Sequence, residues 1–185
     1  MQDVLFMKLY FVALVLPEER NAEIKHFKNL MLEKWGCKVG LKSPAHITLI
    51  PPFWMDETKE ENFCKDIDAL SKDIESFSIS TNHFSAFKPR TIFIEPVLTA
   101  PLKALKQATD TFCKTHTQYG AKADARPFHP HITIATRDLH KRAFAEAWSY
   151  FEHKKYAVQF EATGLGILRH NTRDWDVIHT APFGT

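Results

Sequence analysis

The sequence predicts a duplicated α+β fold whose two halves face each other across a cleft. Three observations predict it. The tripeptide His-Ile-Thr occurs at His46–Thr48 and again at His131–Thr133, each time inside an apolar, β-branched run. Strand-like and helix-like hydrophobic periods follow in the order strand, helix, His-x-Thr strand, helix, strand, and then the same order repeats. The two histidines are 131 − 46 = 85 positions apart, about the separation of the two opening strands. The whole chain, 1–185, is expected to be one domain of two pseudo-repeat lobes, about 1–88 and 89–185, with strands free to exchange between them.

Composition sets the outer bounds. A chain of 185 residues, 44% apolar and 25% charged, has the make-up and length of a soluble globular protein with a sizeable core. A formal net charge of +2 does not by itself argue for nucleic-acid binding. Cys37, Cys64 and Cys113 are widely spaced, odd in number and in no C-x-x-C arrangement. That favours reduced thiols in a cytoplasmic protein over a disulfide framework or a zinc site. No uncharged apolar run reaches the length of a membrane span, so no membrane association is expected.

Leu5 to Leu16 is apolar and rich in β-formers and is expected to be a buried strand. It is expected to be this strand rather than a signal peptide, because Asp3 precedes it, Lys8 interrupts it and no small-residue cleavage site follows. Pro17, Glu18 and Glu19 suit a first helical turn, and Ile24, Phe27, Leu30, Met31 and Trp35 recur at helical spacing. A helix over Glu18–Trp35 with Gly36 as its stop follows. Ala45–Ile50 reads as the first His-x-Thr strand, ended by Pro51-Pro52, which cannot donate to a ladder. Thr58–Ile74 is a second helix with Phe63, Ile67, Leu70 and Ile74 on one face, and Phe77–Phe87 alternates as a strand. The second round has a strand at Thr91–Leu98, a helix at Pro101–Thr117, the second His-x-Thr strand at His129–Thr136 and a helix at Leu139–His153. Strands at Tyr156–Leu168 and Trp175–Thr180 close the chain as a hairpin turning near His170–Arg173.

On a strand, residues two apart share a face, so each motif sets an imidazole beside a hydroxyl. Two histidines facing one centre supply a general base and a general acid for phosphodiester cleavage, because their unperturbed pKa lies near neutrality. His46 and His131 are the candidate catalytic residues. Thr48 and Thr133 are placed to hold the non-bridging phosphate oxygens. The chemistry needs no metal, no cofactor and no covalent intermediate. A lone H-x-T in a strand is usually structural; two copies at matching places in a repeated unit make chance the harder explanation.

The stretch Arg126–Ala135, R-P-F-H-P-H-I-T-I-A, together with S-P-A-H-I-T-L-I-P-P-F at Ser43–Phe53, resembles the two motifs of the 2H phosphoesterase superfamily. The resemblance is to the branch of 2′-5′ RNA ligases and RNA 2′,3′-cyclic phosphodiesterases, and the second stretch carries its most specific part. It implies a bilobal α+β fold of two antiparallel-sheet lobes with outer helices around a central cleft, a metal-independent hydrolysis of 2′,3′-cyclic phosphate ends to 2′-phosphates, and a related 2′-5′ ligation without ATP. It suggests His131 as base and His46 as acid for that hydrolysis. Arg126 is implied as a phosphate-binding residue. Tyr10, Phe53, Phe128 and His129 are further candidates for base stacking or for lining the cleft. The expected partners are RNA ends or small nucleotides bearing a cyclic phosphate, with the protein itself a monomer.

Other readings stay open at this point. Cyclic nucleotides, ADP-ribose cyclic phosphate and 2′-5′ oligoadenylates share the same reacting group. A metal-dependent hydrolase using His46, His129 and His131 as ligands lacks a carboxylate in either motif and leaves the threonines unexplained. A non-catalytic RNA-end-binding protein is the third alternative.

Overall fold

The structure, a computed structural model, describes residues 6–184. Leu5, expected to open the first strand, lies outside the described residues. The elements are β1 (Met7–Val15), α1 (Glu18–Trp35), β2 (His46–Asp56), α2 (Glu60–Lys72), β3 (Phe77–Phe87), β4 (Thr91–Pro96), α3 (Ala100–Thr115), β5 (Ile132–Ala135), α4 (Lys141–Phe151), β6 (Gln159–Ala162), β7 (Gly164–His170) and β8 (Trp175–Pro182). They build two four-stranded antiparallel sheets, ordered β2-β1-β7-β8 and β5-β4-β3-β6. This is the α+β architecture expected from the repeated motif.

The two halves exchange strands. β3 pairs with β4 across the expected boundary near residue 88, and β7 and β8 return to the sheet of β1 and β2. The sheets therefore comprise residues 7–56 with 164–182, and residues 77–162. The boundary near 88 falls inside a hairpin, whose short turn closes with Arg90 N–H donating to Phe87 O. Closing a loop this short costs little chain entropy, so neighbouring strands pair locally whatever the repeat suggests.

α1 matches its expected limits because its end signals are strong. Gly36, at φ 70, lets its own N–H reach Leu32 O while the Cys37 N–H reaches Met31 O, which satisfies the last free carbonyls. β2 is longer than expected. Pro51 and Pro52 do not end it, because Tyr10 pairs with Phe53 and Val12 with Ile50, so two prolines oppose one residue of β1 in a bulge. β2 is also an edge strand. A missing N–H costs little at an edge or a bulge.

β5 is shorter than expected and starts only at Ile132, after Pro130. The strand read over Tyr156–Leu168 divides at Thr163 into β6 and β7, which belong to different sheets. The β7–β8 hairpin is present, with His170 opposite Trp175 and Asn171 N–H donating to Asp174 O across the turn.

The helices lie across the exchange. α1 packs on β5 of the second sheet, and α3 packs on β2 of the first. Their buried stripes hold Ile24 and Met31 from α1 and Leu102, Leu105 and Phe112 from α3. Each stripe also buries a lysine, Lys28 and Lys106. Ala108 of α3 is only half-buried, its expected core place being taken by Lys106 and Thr109. Among the described residues no helix is long and apolar enough to cross a membrane, and Cys37, Cys64 and Cys113 are unpaired.

Candidate active site

Both motif histidines are held by the same local contact. His46 opens β2, and its Nδ1 lies 2.7 Å from the Pro44 carbonyl oxygen. His131 stands one residue before β5, and its Nδ1 lies 2.8 Å from the His129 carbonyl oxygen. A carbonyl only accepts, so Nδ1 carries the proton in each ring. Nε2 is then the nitrogen free to take or give a proton on both sides. Each ring also leans on an aromatic side chain of the neighbouring strand. Phe11 of β1 lies 4.8 Å from His46, and Phe93 of β4 lies 5.5 Å from His131, centre to centre.

The two rings line adjoining cavities. One, of about 460 Å³, contains His46, Thr48 and Thr133; the other, of about 520 Å³, contains His131 and Thr48. Thr48, Pro52 and Arg137 border both. Neither motif threonine makes a side-chain hydrogen bond within the protein among the described residues. Burial lowers the pKa of His46 to about 4; the positive charges of Lys28 and His131 push the same way, and only the Pro44 carbonyl opposes them. His131 is lowered by burial as well, with His129 and Arg126 adding to it against the carbonyl of His129.

Helix α1 grips the segment that leads into His46. Asn21 accepts a hydrogen bond from Ala45 N–H and donates to Leu16 O at 2.6 Å. Two turns further along, Lys28 Nζ donates to Ser43 O at 2.9 Å. On the other side of the motif, Lys106 Nζ of α3 donates to Leu49 O at 3.0 Å and also pairs with Asp110. The tripeptide His46–Thr48 is therefore bracketed by two buried ammonium groups.

The second motif is tied to the same segment. Asp138, five residues after Thr133, accepts the backbone N–H groups of Lys38 at 2.7 Å and Val39 at 2.9 Å. Gly40 lies so close to the Ile134 carbonyl that no side chain fits between them.

The pattern of the 2′-5′ RNA ligase superfamily matches residues 16–174, both motifs included. This chain belongs to that superfamily. It is 29% identical over 136 residues to the RNA 2′,3′-cyclic phosphodiesterase of Bacillus subtilis, covering 69% of this chain and 70% of that one. In fold it is similar to TT0787 of Thermus thermophilus, with a TM-score of 0.67 and 17% identity over 95% and 97% of the two chains. It is likewise similar to LigT of Escherichia coli, with a TM-score of 0.65 and 14% identity over 97% and 99%.

Around the two His-x-Thr segments, the other predicted site residues divide. Arg126 is exposed at the rim of the His131 cavity and forks onto Asp124, with Nη2 at 2.6 Å and Nε at 3.0 Å. Phe128 lines the same cavity, and the Lys106 ammonium sits 5.8 Å from its ring centre. His129 borders the cavity but turns Nε2 to Glu95 at 2.8 Å, and His83 holds the other carboxylate oxygen at 2.9 Å. His129 precedes β5, so it does not share a strand face with His131. Among the described residues, no three His, Cys, Asp or Glu side chains converge to hold a metal ion.

Tyr10 and Phe53 do not reach the cleft. Tyr10 is fully buried, with its hydroxyl donating to Glu60 at 2.8 Å. Phe53 packs in the core against Phe63. Phe53 pairs with Tyr10, which is an odd number of residues from the Ala13 opposite Thr48, so both rings stand on the core face of the sheet and not on the face of His46 and Thr48.

Arg137 was not legible as a site residue. It borders both cavities, is exposed, and has no hydrogen-bond or ion-pair partner among the described residues. Its backbone is left-handed, at φ 41. A non-glycine residue in that region costs free energy and often marks a functional position. The sequence offers only one sign of it: a basic residue six positions after His131, in R-P-F-H-P-H-I-T-I-A-T-R.

Proposed function

We propose that the protein is a phosphodiesterase that opens 2′,3′-cyclic phosphates at RNA ends to 2′-phosphates, with 2′-5′ ligation as the related reverse step. The observation that carries this reading is the pair of Nδ1-anchored imidazoles on one cleft. Between them stand two free threonine hydroxyls and an unpaired arginine. The name of the Bacillus subtilis relative points to the same substrate. Structures of E. coli LigT with 3′-AMP and with phosphate point to a nucleotide-sized phosphate ligand for that protein.

In this reading a water oxygen attacks phosphorus and passes its proton to Nε2 of one histidine. The bond from phosphorus to the ribose 3′ oxygen breaks, and that oxygen takes a proton from Nε2 of the other. Thr48, Thr133 and Arg137 hold the non-bridging oxygens, where charge accumulates. Burial lowers the pKa of both histidines, and the roles follow the family resemblance, with His131 as base and His46 as acid.

The test is hydrolysis of an oligoribonucleotide ending in a 2′,3′-cyclic phosphate, in EDTA, with the product end identified. The expected product is a 2′-phosphate, lost in His46→Ala and in His131→Ala. Turnover that disappears in EDTA and returns with zinc, or that survives both substitutions, would overturn the reading.

A further inference from the structure

Four cavities run end to end through the molecule, each sharing walls with the next. The His46 and His131 cavities form the middle. Beyond His131, a cavity of about 270 Å³ shares Phe128 and His129 with its neighbour and is lined by His83, Glu95, Val97 and Leu98. Beyond His46, a cavity of about 450 Å³ shares Lys42, Ser43 and Trp175 with its neighbour and is also lined by Lys25 and Lys28.

The two ends differ in charge. At the His131 end the carboxylate of Glu95 is engaged by His83 and His129, and the remaining wall is apolar apart from the uncharged Asn82. At the His46 end three lysines face two carboxylates, Glu18 and Asp174. One of the three, Lys28, is only 4% exposed, and its ammonium makes a single hydrogen bond, to Ser43 O. Trp175 stands where this cavity meets the His46 cavity. Its indole lies edge-on to Phe11 at 4.6 Å and to His170 at 5.0 Å, forming an aromatic wall.

We propose that the cavity lined by Lys25, Lys28, Lys42 and Trp175 is a subsite for the nucleotide preceding the cyclic phosphate, so that an RNA chain leaves the cleft on the His46 side. This rests on the cyclic-phosphate reading and adds a direction and a length to its substrate. The terminal nucleoside occupies the His46 cavity. The phosphate on its 5′ side reaches Lys42, and the preceding nucleotide lies between Lys25 and the Trp175 wall. A polyanion is drawn to the end with the surplus of cations, and an indole accepts any base by stacking. The other exit offers a carboxylate instead.

The experiment compares 2′,3′-cyclic AMP with a diadenylate ending in a 2′,3′-cyclic phosphate. It uses the full chain and two variants on the exposed side of α1 that leave the catalytic cleft alone. Lys25→Glu reverses a charge, and Ala22→Trp fills the cavity from its rim. The dinucleotide is expected to show a KM about tenfold below that of the mononucleotide. Each variant should remove most of that advantage while leaving kcat and KM for the mononucleotide unchanged. In Lys25→Glu the salt dependence of the dinucleotide KM should also flatten.

Equal KM values in the wild type, or variants that weaken both substrates alike, would overturn the subsite. A binding arm separates it from the catalytic reading. The stable 3′-phosphorylated diadenylate should bind more tightly than 3′-AMP, and Lys25→Glu should abolish the difference. If that holds without any turnover, the subsite stands and the hydrolase reading falls; if the two ligands bind alike, the subsite falls.

Discussion

His46 and Lys28 show how single residues set the chemistry of this cleft, and both carry a cost. Native His46 has its pKa lowered to about 4, against about 6.5 when unfolded. Between those values the unfolded chain binds a proton that the native state refuses, so stability falls as pH drops from 6.5 towards 4 and is unaffected above. His46→Gln removes that proton. Over this window the wild type should lose on the order of 2–3 kcal/mol more than the variant, read from urea midpoints at each pH. Parallel pH curves would contradict a buried neutral His46.

Lys28 is a cation buried without a carboxylate partner among the described residues, its own pKa lowered to about 8 by desolvation. Replacing it with Met removes a charge that opposes protonation of His46. The imidazole of His46 should then titrate at higher pH in Lys28→Met, followed by NMR of ring-labelled histidine, while His131 keeps its wild-type titration. The groups facing His46 in the cleft, namely His131, Lys42, Arg137 and His170, are unchanged by the substitution. The variant should also melt no lower than wild type at neutral pH, because an uncompensated buried charge is destabilising. At this scale His46, Thr48, His131 and Thr133 were legible because each motif is local and repeated. Lys28 and Asn21 were not: they read as ordinary polar positions on a helix, and their partners are 15 and 24 residues away.

Among the elements, the segment between α1 and β2 does most to fix the distance between the motifs. It is pinned from three directions: by Asn21 and Lys28 of α1, by the Asp138 carboxylate, and by the contact of Gly40 with the Ile134 carbonyl. Ile134 follows Thr133 directly, so this contact sets one motif strand against the approach to the other. The obstacle to a larger residue at Gly40 is backbone, which cannot rotate away. Gly40→Ala should therefore cost about 1–3 kcal/mol of stability and reduce turnover at temperatures where the protein remains folded. Wild-type melting and turnover together would show that the segment can shift freely.

Helix α1 and strand β3 were legible to the residue, since their caps, periods and turns are local signals. The continuation of β2 through Pro51-Pro52 was not. A proline pair reads as a stop unless it is known that the strand lies at an edge and carries a bulge, and both are properties of the assembled sheet. The division at Thr163 was hidden for the same reason, because alternation along one strand does not say which sheet its two ends join.

For the whole molecule, the strand exchange makes the two halves of the chain inseparable. Each motif strand lies at the edge of its sheet: β2 beside β1, with β7 next in line, and β5 beside β4, with β3 next in line. β7 comes from the second half of the sequence and β3 from the first. The helices compound this, since α1 covers the sheet of β5 and α3 covers the sheet of β2. A fragment ending near residue 88 would keep β1 and β2 but lose β7 and β8, exposing a two-stranded ribbon, which is marginal alone in water. Unfolding should accordingly be a single cooperative transition. The indole of Trp175 reports on the first sheet and that of Trp148, on α4, on the second lobe. In variants retaining one or the other, fluorescence midpoints in urea should coincide with each other and with the loss of circular dichroism. Fragments 1–88 and 89–185 should each be unfolded alone. Two separated midpoints, or a folded half, would mean that each lobe carries its own core. The cleft between His46 and His131 would then be an interface between independent units rather than the inside of one.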